Sequence, residues 1–167
     1  MQSKLITISV LSILMLTMLA CSFGGVSLNR DSATINIELN QDQVNTMLAN
    51  STFTNDNPDD ILRKIDRVEM YEGYMRLYGT AITPDGTEVK GSYDVELGTQ
   101  NDQLTVKIID ADIAGIDLTD ARLAEANKKI ADALTKSVRE SQGEVLFKAA
   151  AITNGKLTLT VQVNFKK

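Results

Sequence analysis

The stretch from Thr119 to Gln142 constrains the fold most, because no other segment of the 167-residue chain has both the length and the period of a helix of several turns. One side of it is largely apolar and recurs every three or four residues, at Leu123, Asn127, Ile130, Leu134 and Ser137 or Val138. Thr119 is the predicted N-cap and Gly143 the predicted stop. The flanking segments have strand patterns, so we expect one long helix packed against a sheet.

The first twenty residues have the pattern of a secretory signal peptide. Lys4 is followed by an apolar run from Leu5 to Leu19, and Ala20 precedes Cys21, the one cysteine of the chain. Met18-Leu-Ala-Cys21 resembles the lipobox of bacterial lipoproteins, which implies that Cys21 is acylated, with palmitate among the expected chains. The alternative is an ordinary signal peptide with an incidental cysteine. We expect an exported protein, lipid-anchored to the outer face of the cell membrane or to the outer membrane.

Length and composition restrict the number of domains and the possible functions of the chain after the signal peptide. Residues 21–32, with Gly24-Gly25, predict a flexible tether, and residues 33–167 have the length of one domain. The chain has no histidine, which removes the commonest general base and a frequent metal ligand. With 22 acidic against 17 basic residues, it has no basic groove for nucleic acid. We therefore expect a protein without enzymatic activity, cofactor or metal.

The first part of the domain alternates between strand and helix patterns. Residues 33–39 alternate strictly between apolar and polar, which predicts a half-buried strand. Asn40 and Gln43 form a predicted capping box for a short helix that ends near Asn50. Pro58, followed by two aspartates, predicts one or two further helical turns through about Lys64.

Residues 65–113 have the pattern of an antiparallel meander, whose turns predict its register. A hairpin at Glu72-Gly73 pairs Met70 with Met75, Val68 with Leu77 and Glu69 with Arg76. A second hairpin around Pro84-Asp85-Gly86 pairs Met75 with Val95, Leu77 with Tyr93 and Arg76 with Asp94. The two predictions agree, and together they place Glu69, Arg76 and Asp94 on the solvent face.

The same register places Gly79 opposite Gly91 on the inner face, where a backbone, a helix or a ligand can come close. Asn101-Asp102 predicts the next turn, and the apolar phase changes between Ile108 and Ile109, which predicts a bulge. After the long helix, residues 144–152 are apolar on both faces, which predicts a strand covered on two sides. Asn154-Gly155 then predicts a C-terminal hairpin.

Three polar groups are candidates for chemistry. Asp110, Asp112 and Gly115 match part of a calcium loop, but Ala114 and Ala121 stand where oxygen ligands are needed. Residues 55–60 carry oxygen ligands that helix capping also explains. Tyr74 and Tyr78 flank Arg76, with Tyr71 near, and this group is either an ordinary sheet surface or a protein interface.

The order of elements, with the stretches Ile35–Ala49 and Gly155–Val161, resembles the small YceB-type lipoproteins. That resemblance implies a single barrel of the tubular lipid-binding (TULIP) superfamily, in which a curved sheet wraps a long helix around an apolar cavity. The implied fold is α+β, with a curved antiparallel sheet of meander and C-terminal hairpin, one long helix and a short N-terminal helix.

We therefore expect the domain to bind a lipid or other hydrophobic ligand between the long helix and the concave sheet. The expected lining is aliphatic with small and aromatic additions: Met70, Met75, Leu77, Gly79, Gly91, Tyr93, Val95, Leu123, Ile130 and Leu134. The alternative is a scaffold or interaction lipoprotein with a solid core, which contacts an envelope protein through its Tyr and Arg face or through a sheet edge. An enclosed volume of several hundred Å³ between helix and sheet distinguishes the two.

Overall fold

A computed structural model describes residues 23–28, 31–49, 61–142 and 144–164. The predicted signal peptide, Cys21 and the oxygen-rich residues 55–60 lie outside these ranges. Within these ranges the fold is α+β, with two helices and two antiparallel sheets. In chain order its elements are β1 Phe23–Leu28, β2 Ser32–Asn40, α1 Gln41–Ala49, β3 Leu62–Met70, β4 Met75–Ile82, β5 Glu88–Gln100, β6 Gln103–Asp112, α2 Leu123–Gln142, β7 Val145–Thr153 and β8 Lys156–Asn164.

The prediction of one sheet for the meander and the C-terminal hairpin is wrong, because the meander forms a sheet of its own, which we call sheet B, with strand order β3-β4-β5-β6. Its register is the predicted one: Met70 pairs with Met75, Arg76 with Asp94, and Gly79 with Gly91. Asn101 and Asp102 have positive φ, as the tight turn between β5 and β6 requires. The predicted bulge is also present, because Asp94 pairs with Asp110 while Val95 pairs with Ile108.

The other strands form sheet A, with strand order β1-β2-β8-β7. The predicted tether at residues 21–32 is wrong over Phe23–Leu28, where the chain pairs with β2 as an edge strand. Two glycines there predicted flexibility, but the register shifts between Phe23 and Val26, so an irregular strand accommodates them. The C-terminal hairpin is confirmed, with Thr153 paired to Lys156 across Asn154-Gly155.

Helix α1 begins with the predicted capping box. The Asn40 N–H donates to Gln43 Oε1 and the Gln43 N–H donates to Asn40 Oδ1, both at 2.9 Å. On the inner side of α1, the Asn45 side-chain amide donates a hydrogen bond to the Val68 carbonyl and accepts one from the Val68 N–H. Val68 belongs to β3, an edge strand of sheet B. The helix thereby occupies backbone groups that an edge strand otherwise leaves free. The predicted helical turn through Lys64 is wrong, because β3 starts at Leu62.

Helix α2 starts at Leu123, one turn after the predicted N-cap Thr119. The Asp117 carboxylate accepts bonds from the Thr119 N–H and hydroxyl, and the Asp120 carboxylate accepts from the Arg122 N–H, so two short turns precede the helix. The predicted stripe faces the core, and Asn127 Oδ1 accepts a 2.8 Å bond from the Ile108 N–H beside the bulge in β6. Neither described helix is both long and apolar enough to cross a membrane.

Strand β7 links the two sheets through hairpin turns of sheet B. The Phe147 N–H donates to the Asp102 carbonyl, and the Gly73 N–H donates to the Ile152 carbonyl, both at 2.9 Å. The prediction that this strand is covered on two sides is wrong, because Ala149 and Ala151 are exposed. An alanine run is apolar in sequence yet small enough to face solvent at little cost.

Candidate functional site

The predicted lining residues of the inner face do come together. Met75, Leu77, Val95, Ile130 and Leu134 have no exposed surface, and Met70, Tyr93 and Leu123 are also buried; all belong to one hydrophobic cluster between helices and sheets. Three open grooves among the described residues have volumes of about 330, 390 and 330 Å³. None of these three grooves is lined by any of the eight side chains, which pack against one another in the buried cluster.

Gly79 and Gly91 face each other as predicted, but the space on the side where a Cβ would project is filled. A Cβ on Gly79 would overlap the carbonyl oxygen of Lys64 in β3, and one on Gly91 would overlap the carbonyl oxygen of Asp112 in β6. The close neighbour is therefore strand backbone, one of the three neighbours predicted. The narrower hypothesis, that a helix or the mouth of a cavity lies there, is wrong.

Tyr93 carries a polar atom that the inner face leaves without a partner. Its side chain is 1% exposed, and its hydroxyl is buried without any hydrogen bond. Burial raises the pKa of this hydroxyl, with the charges of Arg122 and Asp120 close enough to act on it. An unpaired buried hydroxyl costs free energy, and a ligand or water beside Tyr93 would supply the missing hydrogen bond.

The outer face of sheet B carries a cluster of charged and aromatic side chains, which we call the Tyr/Arg cluster: Arg67, Glu69, Tyr71, Tyr74, Arg76, Tyr78 and Asp94. Arg76 donates two bonds to the Asp94 carboxylate, at 2.6 and 2.7 Å. This bidentate pairing raises the pKa of Arg76 and holds its side chain in one plane. Asp94 is only 8% exposed, although it belongs to the solvent face.

Glu69 organises the aromatic part of the Tyr/Arg cluster. Its Oε2 accepts bonds from the hydroxyls of Tyr71 and Tyr78, at 2.8 and 2.9 Å, while Arg67 pairs with its other oxygen at 2.9 Å. The two tyrosine bonds lower the pKa of Glu69, and the Glu69 bond raises the pKa of Tyr71.

Ring contacts complete the cluster. Tyr71 stacks on Tyr74 with 5.0 Å between ring centroids, and the Arg67 guanidinium lies 4.1 Å above the Tyr78 ring. The guanidinium of Arg76 lies 5.7 Å from the Tyr71 ring. Three rings and two guanidinium groups are thus held in defined positions on one surface.

One of the open grooves adjoins the cluster. It holds about 330 Å³ and shares Tyr78 with the cluster, while its remaining lining is polar or glycine: Asp66, Gly79, Lys90, Gly91, Ser92 and Asp112. The groove lies on the outer face, because Tyr78 pairs with Ser92 and Ser92 pairs with Asp112.

The two aspartates of the partial calcium motif lie two residues apart on β6. Asp110 pairs with Asp94 in the ladder and Asp112 lines the groove, while Asp117, two residues after Gly115, accepts bonds from Thr119. Within the part of the chain that the structure describes, no group of three acidic, histidine or cysteine side chains comes together to hold a metal.

Sequence reasoning missed two parts of this site. The contact between Arg67 and Tyr78 was not predicted. Arg67 lies before the predicted ladder, and a register shift in β3 brings it opposite Tyr78. Asp66, Lys90 and Asp112 lie far apart in sequence and meet only through the pairing of β3 to β6.

Comparison with known proteins does not assign the chain to a family. No protein-family model matches it, and no curated protein or solved structure shows significant similarity. The resemblance to YceB-type lipoproteins therefore stays a prediction from element order, and the function has to be argued from the geometry above.

Proposed function

We propose that the protein is a non-enzymatic lipoprotein of the cell envelope, anchored through Cys21, that binds a partner protein with the Tyr/Arg cluster. The observation that carries this proposal is that hydrogen bonds and ion pairs on the outer face hold the side chains of the cluster in fixed positions. Tyr and Arg are the residues most enriched where interfaces derive their binding energy. Side chains already held in place lose little entropy on binding, so such a surface is prepared for a partner.

The packing of the inner face supports recognition over transport of a ligand. A carrier needs an enclosed apolar volume of several hundred Å³. The predicted lining residues instead pack in one buried cluster, and strand backbone fills the space beside Gly79 and Gly91.

The recognition proposal is tested by photocrosslinking in cells that produce the acylated protein. A photoreactive residue replaces Tyr74 in one variant and Glu38, on the outer face of sheet A, in a matched control. We expect a discrete adduct from position 74 alone, and a lower yield when Arg76→Ala is added. Equal yields at both positions, or no adduct at 74, contradict the proposal.

A second candidate is binding of a lipid or other amphiphile in the inner face, and the unpaired Tyr93 hydroxyl is the observation that favours it. A ligand with a polar end would supply the missing hydrogen bond while its chain displaced part of the aliphatic packing. Native mass spectrometry of the purified protein tests this directly. A bound species in the parent that is weakened in Tyr93→Phe supports the carrier; a ligand-free spectrum for both contradicts it.

The anchor is tested separately. Replacing Cys21 with Ala is expected to abolish incorporation of labelled palmitate, and to release the protein or leave it unprocessed. Stable attachment is expected to need a second acyl chain, because one chain alone gives only marginal membrane binding. Undiminished labelling of the variant contradicts the assignment of Cys21.

A further inference from the structure

Strand β1 leaves apolar side chains uncovered at the edge of sheet A. Val26 is 56% exposed and Leu28 is 72% exposed, so two large apolar side chains of one short strand lie largely uncovered. Val26 pairs with Ile35 and Leu28 pairs with Ala33, and these residues pair in turn with Val161 and Val163 of β8. Paired residues share a face, so the exposed side chains continue the core-facing surface of sheet A beyond the part that the core covers.

The position of β1 in the chain restricts what can cover this surface. Only Ser22 separates Cys21 from the first residue of β1. An extended chain spans at most about 3.5 Å per residue, so Val26 lies within about 18 Å of the cysteine and Leu28 within about 25 Å. If Cys21 is inserted in a bilayer through its acyl chains, both side chains are held within reach of the headgroup region at all times.

We infer that Val26 and Leu28 insert into the membrane surface and fix the orientation of the domain on the bilayer; this inference rests on the proposed anchor at Cys21. Tethering makes the contact intramolecular, so the bilayer has a much higher effective concentration at this surface than any dissolved partner has. A surface-bound segment buries its apolar side chains at the boundary between headgroups and acyl chains, where its polar backbone can stay hydrated. The exposed backbone of an edge strand is suited to that boundary.

The test uses the full acylated protein in phosphatidylcholine vesicles. Acylation blocks Cys21 and the chain has no other cysteine, so Leu28→Cys accepts a single environment-sensitive fluorophore. Leu118→Cys is the matched control, because Leu118 is also a large, half-exposed apolar residue but lies in the segment before α2. At position 28 we expect a blue-shifted emission that doxyl-labelled lipid quenches and aqueous iodide does not. At position 118 we expect quenching by iodide and not by doxyl-labelled lipid.

Each other outcome overturns the inference in a recognisable way. A mass spectrum without acyl chains on Cys21 overturns both the anchor and the membrane contact. An acylated protein whose position-28 label is quenched by iodide overturns the contact alone. Protection from both quenchers indicates that a second copy covers β1, and equal lipid quenching at positions 28 and 118 indicates that the fluorophore itself causes insertion.

Discussion

The two faces of the β4–β5 pair differ in what orders their side chains. On the inner face, Met75, Leu77 and Val95 are fully buried, and packing alone holds them in place. On the outer face, hydrogen bonds and ring contacts hold Arg76 and Tyr78, although water is available to both. The inner face is therefore expected to contribute most of the stability, and the outer face less. Substitutions can separate the two roles.

The largest effect is expected where the inner face has no room at all. In Gly79→Ala, the new methyl group meets the backbone carbonyl of Lys64, which cannot move without shifting β3. Overpacking costs about 1–3 kcal/mol, and we expect the upper end of this range because the obstacle is backbone. Denaturant unfolding of parent and variant measures the difference.

Gly98→Ala is the matched control in the same sheet. A Cβ there lies 3.1 Å from the Thr105 hydroxyl, a side chain that can rotate away. We expect a change below about 0.5 kcal/mol, as for ordinary surface substitutions. Equal losses at positions 79 and 98 would show that the inner glycine is not limited by its neighbour.

The sequence was informative where local chemistry decides structure. The tight turns of sheet B and the alternation beside them determined its register, down to the pairing of Gly79 with Gly91. What fills the space beside those glycines was not predictable, because it depends on register shifts in β3 and on the path of β6. Strand β1 was missed for a related reason: its glycines favour flexibility, and only the free edge of β2 gives it a partner.

A smaller loss is expected where a helix side chain supports the inner face. In Asn127→Ala, the Ile108 N–H beside the bulge loses its acceptor. A buried donor without a partner costs about 1–3 kcal/mol, and the better helix propensity of Ala offsets about 0.5 kcal/mol of that. Denaturant unfolding should show the net loss, and amide exchange at Ile108 should accelerate. Asn127→Asp keeps the acceptor oxygen, so a loss equal to that of the Ala variant would contradict this explanation.

The two-sheet arrangement and the helix-to-strand amide bonds lay beyond sequence reasoning. Strands β2 and β8 pair across almost the whole length of the domain, and no local pattern distinguishes that partner from β3. Asn45 and Asn127 interrupt otherwise apolar stripes, and only the tertiary structure brings their amides to backbone groups of sheet B. The surface cluster was half predicted, since alternation places its members on one face but does not predict their bonds.

Tyr93→Phe is expected to leave the free energy of unfolding unchanged or to raise it by up to about 1 kcal/mol, because the hydroxyl it removes has no partner. Thermal unfolding of the ligand-free protein measures this. A typical hydrogen-bonded tyrosine would instead lose about 0.5–1.5 kcal/mol on the same change. A loss of that size would mean that a water or ligand bonds the hydroxyl in solution, which would strengthen the carrier hypothesis.

The smallest effect on stability is expected on the outer face, and its pH dependence identifies the cause. The bonds from Tyr71 and Tyr78 lower the folded-state pKa of Glu69, so their stabilisation is complete above the unfolded pKa of a glutamate and is lost as the pH falls through the folded value. The pKa of Tyr71 is raised mainly by the Glu69 bond, so its contribution is complete below the unfolded tyrosine pKa and is lost as the pH rises through the folded value.

The difference in denaturation midpoint between the parent and Glu69→Gln should therefore form a plateau at neutral pH and shrink in acid and in alkali. Tyr71→Phe should reduce the change in this difference both in acid and in alkali, while leaving the inner core intact. A difference that stays constant across the pH range would show that Glu69 acts through packing, and that the outer face resembles the inner one after all.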